Sequence, residues 1–152
     1  MTPSYLRATT VLERITWINQ MLAGIRALPM DDFGVFQADP RNVASAESYL
    51  RRGLEALLDL GRHLLAKGFG IAVTEYKEIA NTAIQVGVLD QDTGSLLRDL
   101  AGYRNRLVHF YDAVSDRELY DICSKQSGDI EIVLTALVKW IREHPDKIDR
   151  TI

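Results

Sequence analysis

Apolar residues recur three or four positions apart along most of the chain, which is the spacing of helices that bury one face. No run outside these stretches alternates apolar and polar residues as a half-buried strand would. The stripes and their flanking turn signals predict five helices, starting near Thr9 or Thr10, Asp39-Pro40, Thr74, Asp90 or Asp92, and Ser115. The short connections between them predict an all-α fold, an antiparallel bundle of about five helices.

Helix borders follow from residues with special backbone preferences. Asp39 before Pro40 is a strong helix start, because aspartate caps free N–H groups and proline fits the first helical position. We expect this second helix to stop at Gly68 and Gly70. Residues 29–38, which precede it, are predicted to form a loop because turn-forming residues are frequent there.

The last helix opens with a capping box, in which Ser115 is followed three residues later by Glu118. His144 and Pro145 close it, and a kink is predicted near residues 127–129. The chain is therefore predicted to be a single helical domain over 1–152, with a first helix and loop over 1–38, the main helices over 39–143 and a frayed tail over 144–152.

The second helix has an unusually broad apolar face that includes Gly53 and Gly61. Glycine inside a helix lowers helix propensity but permits another helix to approach closely. This face is therefore either tightly packed within the bundle or the seam of a dimer. Leu58 and Leu65 widen the apolar arc, which favours a seam and a symmetric homodimer.

The composition is that of an ordinary soluble domain, with 152 residues, 47% of them hydrophobic and 26% charged. The lone Cys123 excludes an internal disulfide and a zinc site built from cysteines, and it fits a reducing cytosol. No apolar run is long enough to span a bilayer, and the first residues lack the apolar core of a signal peptide. We therefore expect a cytoplasmic protein that does not interact with membranes.

Histidine placement and glycine spacing exclude several classes of site. The three histidines are too scattered for a metal site, and no glycine-rich loop has the spacing of a phosphate or dinucleotide site. We therefore predict no metal and no cofactor. His63, one turn after Asp59, is interpreted as part of a solvated charged face rather than a functional pair. His144 is interpreted as a helix C-terminal cap.

The net charge of −3 argues against a general nucleic-acid coat protein. A chain of this charge that binds RNA needs a local basic patch on a mildly acidic body. Arg98, Arg104 and Arg106 are the residues expected to supply one.

Four polar residues, Arg104, Asn105, His109 and Tyr111, lie near the end of the predicted fourth helix. The apolar stripe of that helix anchors it, so the four are expected to face outward together. Arginine suits phosphate oxygens, histidine moves protons near neutral pH, and asparagine orients either a phosphate or an imidazole. Such a set suits cleavage of an RNA phosphodiester without a metal, when the ribose 2′-hydroxyl is the nucleophile. The alternative is that they are surface groups, with the histidine capping helix carbonyls.

The spacing of these residues resembles the signature of the HEPN superfamily, and more closely that of the HepT toxins of prokaryotic HEPN/MNT toxin–antitoxin pairs. Arginine, four residues, histidine, one residue and tyrosine form the motif, as in Arg104-Asn105 followed by Val108-His109-Phe110-Tyr111. The resemblance extends over residues 40 to 142. It is carried there by Ala56 to Leu65, Tyr76 to Ile79, Gly87 to Leu89 and Leu119 to Ile122.

The resemblance implies a toxin endoribonuclease that works as a homodimer, with a composite site where two motif helices face each other. His109 would be the general acid or base and Arg104 would stabilise the charged transition state. Asn105 would orient the phosphate or the imidazole. The implied antitoxin is an MNT-type nucleotidyltransferase that transfers AMP to Tyr111.

Two other functions fit the same residues. The first is a non-catalytic module that binds a nucleotide or substrate as the partner of a minimal nucleotidyltransferase. The second is a structural helical dimer in which the motif is a coincidence. For Tyr111 itself, the alternative to an AMP acceptor is a packing residue whose hydroxyl reaches solvent.

Overall fold

The structure is a computed structural model and describes residues 4–109 and 114–150. It confirms the predicted helical bundle. Its helices are α1 (Ala8–Arg26), α2 (Phe33–Ala38), α3 (Pro40–Phe69), α4 (Tyr76–Gln85), α5 (Gln91–Val108), α6 (Asp116–Asp121) and α7 (Ser127–Glu143). A π-helical turn over Ile122–Gln126 joins α6 to α7, a 3-10 turn covers Pro145–Lys147, and two short strands are β1 (Leu6–Arg7) and β2 (Ile148–Asp149).

Helix α3 is the central element, because α1, α2, α4, α5, α6 and α7 all pack against it. Its start is the one predicted: the Asp39 side chain accepts a hydrogen bond from the Arg41 N–H at 3.0 Å, and Pro40 occupies the first turn. The helix continues through Gly68, where a stop was expected. It ends at Gly70, whose left-handed backbone (φ 69°) favours glycine.

The glycines of α3 serve packing within the chain rather than a dimer seam. A Cβ at Gly53 would lie 3.3 Å from Cβ of Met21 on α1, and one at Gly61 would lie 3.0 Å from Cγ2 of Ile79 on α4. Leu58 and Leu65, which seemed to widen the face, are also buried inside the protomer. Of the two alternatives for this face, packing within the bundle is therefore confirmed and the seam is wrong, so a dimer interface would have to use another surface.

The first helix begins slightly earlier than predicted. Arg7 occupies its N-cap position and makes no side-chain cap, so Thr9 and Thr10 lie inside the first turn and cap nothing. The third predicted helix, α4, begins after Glu75 rather than at a Thr74 cap. Threonine has the right side chain for a cap in both places, but neither helix uses it as its N-cap.

The stretch predicted as a loop, residues 29–38, contains the short helix α2. The Asp32 side chain caps it by accepting from the Val35 N–H at 3.1 Å. Phe36 is fully buried and its ring lies 5.5 Å from that of Tyr120. Burial of this side chain orders a stretch that turn-forming residues alone would leave irregular.

Helices α4 and α5 form a closely packed antiparallel pair. Gly87 ends the turn after α4 with φ 81°. Asp90 caps α5 by accepting from the Thr93 N–H at 2.7 Å, as predicted. A Cβ at Gly94 of α5 would lie only 2.3 Å from Cδ1 of Ile84 on α4. Glycine at 94 therefore lets the Ile84 side chain lie directly against the α5 backbone.

The last predicted helix is divided in two. Ser115 accepts from the Glu118 N–H at 3.1 Å, as its half of the capping box requires. The π-helical turn then falls just before the predicted kink. His144 caps α7, its Nδ1 lying 2.7 Å from the Trp140 carbonyl oxygen, in agreement with the prediction.

The segment after α7 does not fray over its described part. Ile148 pairs with Leu6 in a two-stranded parallel ladder, which the sequence pattern did not predict because each strand has only two residues. Leu6 is fully buried. Throughout residues 4–109 and 114–150, no helix combines the length and the apolar character needed to cross a membrane.

Candidate functional site

The predicted motif lies at the C-terminal end of α5. Arg104 and Asn105 belong to its last turns, and His109 is the residue that follows the helix, with its N–H 3.3 Å from the Arg106 carbonyl oxygen. Tyr111 lies outside the described residues. Its predicted position beside Arg104 therefore stays a prediction.

His109 lies at an open cleft between α4 and α5, which we call the α4–α5 cleft. The cleft has a volume of about 470 Å³. Its lining residues are Lys77, Arg98, Asp99, Gly102, Tyr103, Asn105, Arg106 and His109. Asn105 and His109 are thus brought together, as the sequence predicted.

The cleft contains part of the predicted basic patch and one basic residue that the sequence reasoning missed. Arg98 and Arg106 line it, and α4 adds Lys77 from the opposite wall. Arg106 is paired with Glu118, its Nη2 lying 2.9 Å from Oε1. No ion pair joins Lys77 or Arg98 to a carboxylate in the described part of the chain. Their charges are therefore available to an anion.

Arg104 does not line this cleft, because its side chain turns toward α3. Its Cζ lies 4.4 Å from the ring centroid of Tyr76, and its Nε lies 3.5 Å from Oε1 of Glu55. A long contact of 3.4 Å joins its Nη1 to Oδ1 of Asn105. The expectation that Arg104 and His109 face outward together is therefore wrong within one protomer. The helix ends between these two residues, since His109 has an extended backbone, and Tyr76 and Glu55 hold the Arg104 side chain on the other side of α5.

Arg104 belongs to a second group of charged residues, which we call the α3 polar cluster: Glu55, Asp59, Arg62, Tyr76 and Arg104. Arg62 lies 5.0 Å from the Tyr76 ring, donates to the Thr74 carbonyl at 3.0 Å and pairs with Asp59 at 3.5 Å. Burial raises the pKa of Asp59, and the positive charge of Arg62 opposes that rise. The Nε atoms of Arg62 and Arg104 are buried without a hydrogen-bond partner among the described residues.

His63 is half-buried rather than fully solvated. Its Nε2 accepts a hydrogen bond from the Arg7 N–H at 3.1 Å, at the start of α1. Burial lowers the pKa of His63, and the nearby charges of Lys67, Arg14 and Arg7 lower it further. The ring is therefore a neutral acceptor that ties β1 to α3, a role that no sequence signal indicated.

Among the described residues, neither the Cys123 thiol nor any group of metal-binding side chains offers a second reactive site. Burial raises the pKa of the Cys123 thiol to about 12, so this group is a packed thiol rather than a nucleophile. Within the described ranges, no three histidine, cysteine or carboxylate side chains are grouped as metal ligands would be.

One family of known proteins matches most of the chain. Residues 11–137 match the family described as Ribonuclease HepT-like. No curated protein matches the chain.

Several solved structures share the fold at low sequence identity. A tri-AMPylated Shewanella oneidensis HEPN toxin in complex with MNT antitoxin superposes with a TM-score of 0.77 at 18% identity, over 86% of this chain and 97% of that chain. The cytosolic protein of unknown function YutE from Bacillus subtilis gives 0.76 at 17% identity, over 95% and 98%. A mutant MntA–HpeT toxin–antitoxin with a tyrosine-to-alanine substitution gives 0.74 at 17% identity, over 86% and 98%.

Proposed function

From the premise that this chain belongs to the HepT-like ribonuclease family, we propose that it is a metal-independent endoribonuclease, the toxin of a HEPN/MNT toxin–antitoxin pair. The observation that carries the proposal is the position of His109 at a cleft whose walls include Lys77 and Arg98, two cations without carboxylate partners in the described chain. An acid–base group beside available positive charge is what cleavage of a phosphodiester needs.

The reaction follows from these groups. His109 takes the proton of a ribose 2′-hydroxyl, whose oxygen attacks the adjacent phosphorus. The bond from phosphorus to the 5′-oxygen breaks, and an imidazolium returns a proton to that leaving oxygen. The products are a 2′,3′-cyclic phosphate and a 5′-hydroxyl. Asn105, which lines the same cleft, orients the phosphate or the ring.

A homodimer accounts for the separation of Arg104 from His109 within one chain. Two α5 helices that face each other would bring a second Arg104 and a second His109 toward the same phosphate. Val108, next to His109, is an exposed apolar residue at the end of α5 and supports a contact there. Light scattering at micromolar concentration should give twice the 17.1 kDa mass of the chain, and a monomer would contradict the composite site.

The decisive experiment is an RNA cleavage assay with the purified protein in the presence of EDTA. Wild type should release fragments with 2′,3′-cyclic phosphate ends, identified by mass spectrometry, and His109→Ala should release none while keeping its helix content. His63→Gln is the matched control, because that ring lies outside the cleft. Cleavage at the wild-type rate by His109→Ala would contradict the proposal, and a wild type that binds nucleotides without cutting RNA would favour the binding module.

Regulation by AMP addition is the second part of the proposal, with Tyr111 as the acceptor. The fold neighbours include a tri-AMPylated HEPN toxin bound to its MNT antitoxin, which supports a nucleotidyltransferase partner here. A phosphate group near Arg104 and His109 would occupy the site where RNA binds and would repel it.

Intact mass spectrometry tests this proposal. After incubation with the cognate nucleotidyltransferase and ATP, wild type should gain AMP units of about 329 Da each, and Tyr111→Phe should gain none. Tyr111→Phe should still cleave RNA, since only a hydroxyl is removed. AMP addition to this variant at the wild-type level would place the acceptor elsewhere.

A further inference from the structure

The α4–α5 cleft extends well beyond the catalytic histidine. Arg98 precedes His109 by eleven residues on the same helix, a distance of about 16 Å along the axis. A stacked strand advances roughly 3.4 Å per nucleotide, so the cleft is longer than the one phosphodiester that is cut. The far part of the cleft can therefore hold a part of the strand that is not cut.

The cations in that far part differ from most of the arginines elsewhere on the surface. Arg26 pairs with Glu131 at 2.7 Å and Arg51 with Glu47 at 3.0 Å. Lys77 and Arg98 make no ion pair with any residue that the structure describes, although Asp99 also lines the cleft. Basic side chains left without carboxylates in a concave site are suited to phosphate oxygens.

Gly102 leaves room beside the Lys77 side chain. A Cβ built at this position would lie 3.7 Å from Cε and 4.0 Å from Nζ of Lys77. A methyl group would fit at that distance, whereas a longer side chain would displace the Lys77 ammonium or fill the cleft. The α5 backbone at Gly102 thus leaves open space beside the Lys77 side chain.

We propose that Lys77 and Arg98 form a phosphate subsite, which binds the RNA phosphates next to the one cleaved at His109. The inference rests on the proposed ribonuclease function and adds how the substrate is held. Because phosphates carry no base identity, this subsite would favour single-stranded RNA longer than a dinucleotide without reading its sequence.

Binding is measured separately from cleavage by placing the variants in a His109→Ala background. Anisotropy of a fluorescein-labelled single-stranded RNA, recorded over a series of NaCl concentrations, gives the affinity and its salt dependence. Removal of one phosphate contact should reduce the slope of log K against log salt by about 0.7. At 0.15 M salt this change in slope corresponds to an affinity about four-fold lower for each of the single variants, Lys77→Ala and Arg98→Ala.

One matched control and one further test variant accompany these variants. Lys139→Ala removes an exposed cation on α7 and should leave affinity and slope unchanged. Gly102→Glu places a carboxylate beside Lys77 and should weaken binding more than either alanine variant. Circular dichroism verifies that each variant is folded.

The outcomes separate this inference from the nuclease proposal. If wild type cleaves RNA but the double variant Lys77→Ala/Arg98→Ala has the same KM, RNA affinity and salt slope as its parent protein, the phosphate subsite is wrong and the nuclease proposal stands. If wild type cuts nothing but the double variant loses RNA affinity and slope, the subsite stands and the nuclease proposal falls. Absence of RNA binding by the His109→Ala parent overturns the subsite. A raised KM at unchanged kcat on long RNA supports it.

Discussion

The α4–α5 cleft and the α3 polar cluster lie on two sides of α5 and use arginine in different ways. Arg98 lines the cleft without an ion pair to the described carboxylates, whereas Arg104 lies against Tyr76 and Glu55. Six residues separate these two arginines, which places them about 120° apart around the helix. The comparison teaches that the surroundings of a basic side chain, and not its type, decide whether it already has partners within its own protomer.

Replacement of Arg104 is the strongest test of this contrast. If the second copy of α5 brings Arg104 to the phosphate, Arg104→Ala should lower kcat/KM for RNA by about 10²- to 10³-fold, the range for loss of a group that stabilises transition-state charge. The free energy of unfolding should fall by only about 1 kcal/mol or less, because its partners are a partly exposed carboxylate and one aromatic ring. Kinetics and urea unfolding measure the two effects.

Arg104→Lys is the matched control, since it keeps the charge and loses the planar fork. It should remain well below wild type in activity. Full activity in Arg104→Ala, together with a loss of stability, would make Arg104 a structural member of the α3 polar cluster and nothing more.

Removal of the Glu55 carboxylate should have a smaller effect. Glu55→Gln keeps the size of the side chain but leaves Arg104 without the charge that lies 3.5 Å from its Nε. We expect a few-fold loss of kcat/KM, because the guanidinium keeps its contact with Tyr76 but samples more orientations. Single-turnover cleavage measures this loss. Glu47→Gln, which removes another carboxylate one turn before Arg51, is the control and should leave the rate unchanged.

The smallest expected effect concerns the pH dependence of stability that comes from His63. His63 on α3 has a folded-state pKa below its ordinary value, so the unfolded chain binds its proton more readily. The free energy of unfolding should therefore fall as the pH decreases from about 6.5 through the lowered folded-state pKa, and above that window His63 should contribute no pH dependence.

Thermal unfolding of wild type and His63→Gln over that pH range measures this contribution. The difference between the two proteins should shrink as the pH falls, since only wild type has a histidine to protonate at this position. A difference that stays constant across the window would show that the Arg7 N–H contact does not depend on a neutral ring.

The sequence predicted the helices where strong local signals exist. Asp39, Asp90 and Ser115 each cap a helix, because a short polar side chain can satisfy the free N–H groups without help from the rest of the fold. Helix α2 and the pairing of Leu6 with Ile148 were missed. Both depend on contacts between residues far apart in sequence, which local patterns do not contain.

Prediction of the site was limited by the same cause. Asn105 and His109 share a cleft because both lie on the end of one helix, and the helical period predicts that. Lys77 reaches the cleft from another helix, and the Glu55 carboxylate turns Arg104 toward α3. These two facts follow from how α3, α4 and α5 pack, so neither the second wall of the cleft nor the divergence of the motif was predictable from spacing.

The contact of Ile84 with the glycine at position 94 has a thermodynamic consequence for ligand binding. It seats α4 directly on the backbone of α5, so the two walls of the cleft are fixed relative to each other before any ligand arrives. A ligand then meets Lys77 and Arg98 on a rigid frame, and little conformational entropy is lost beyond that of the two side chains. Affinity for a flexible strand would therefore be limited mainly by ordering of the RNA rather than of the protein.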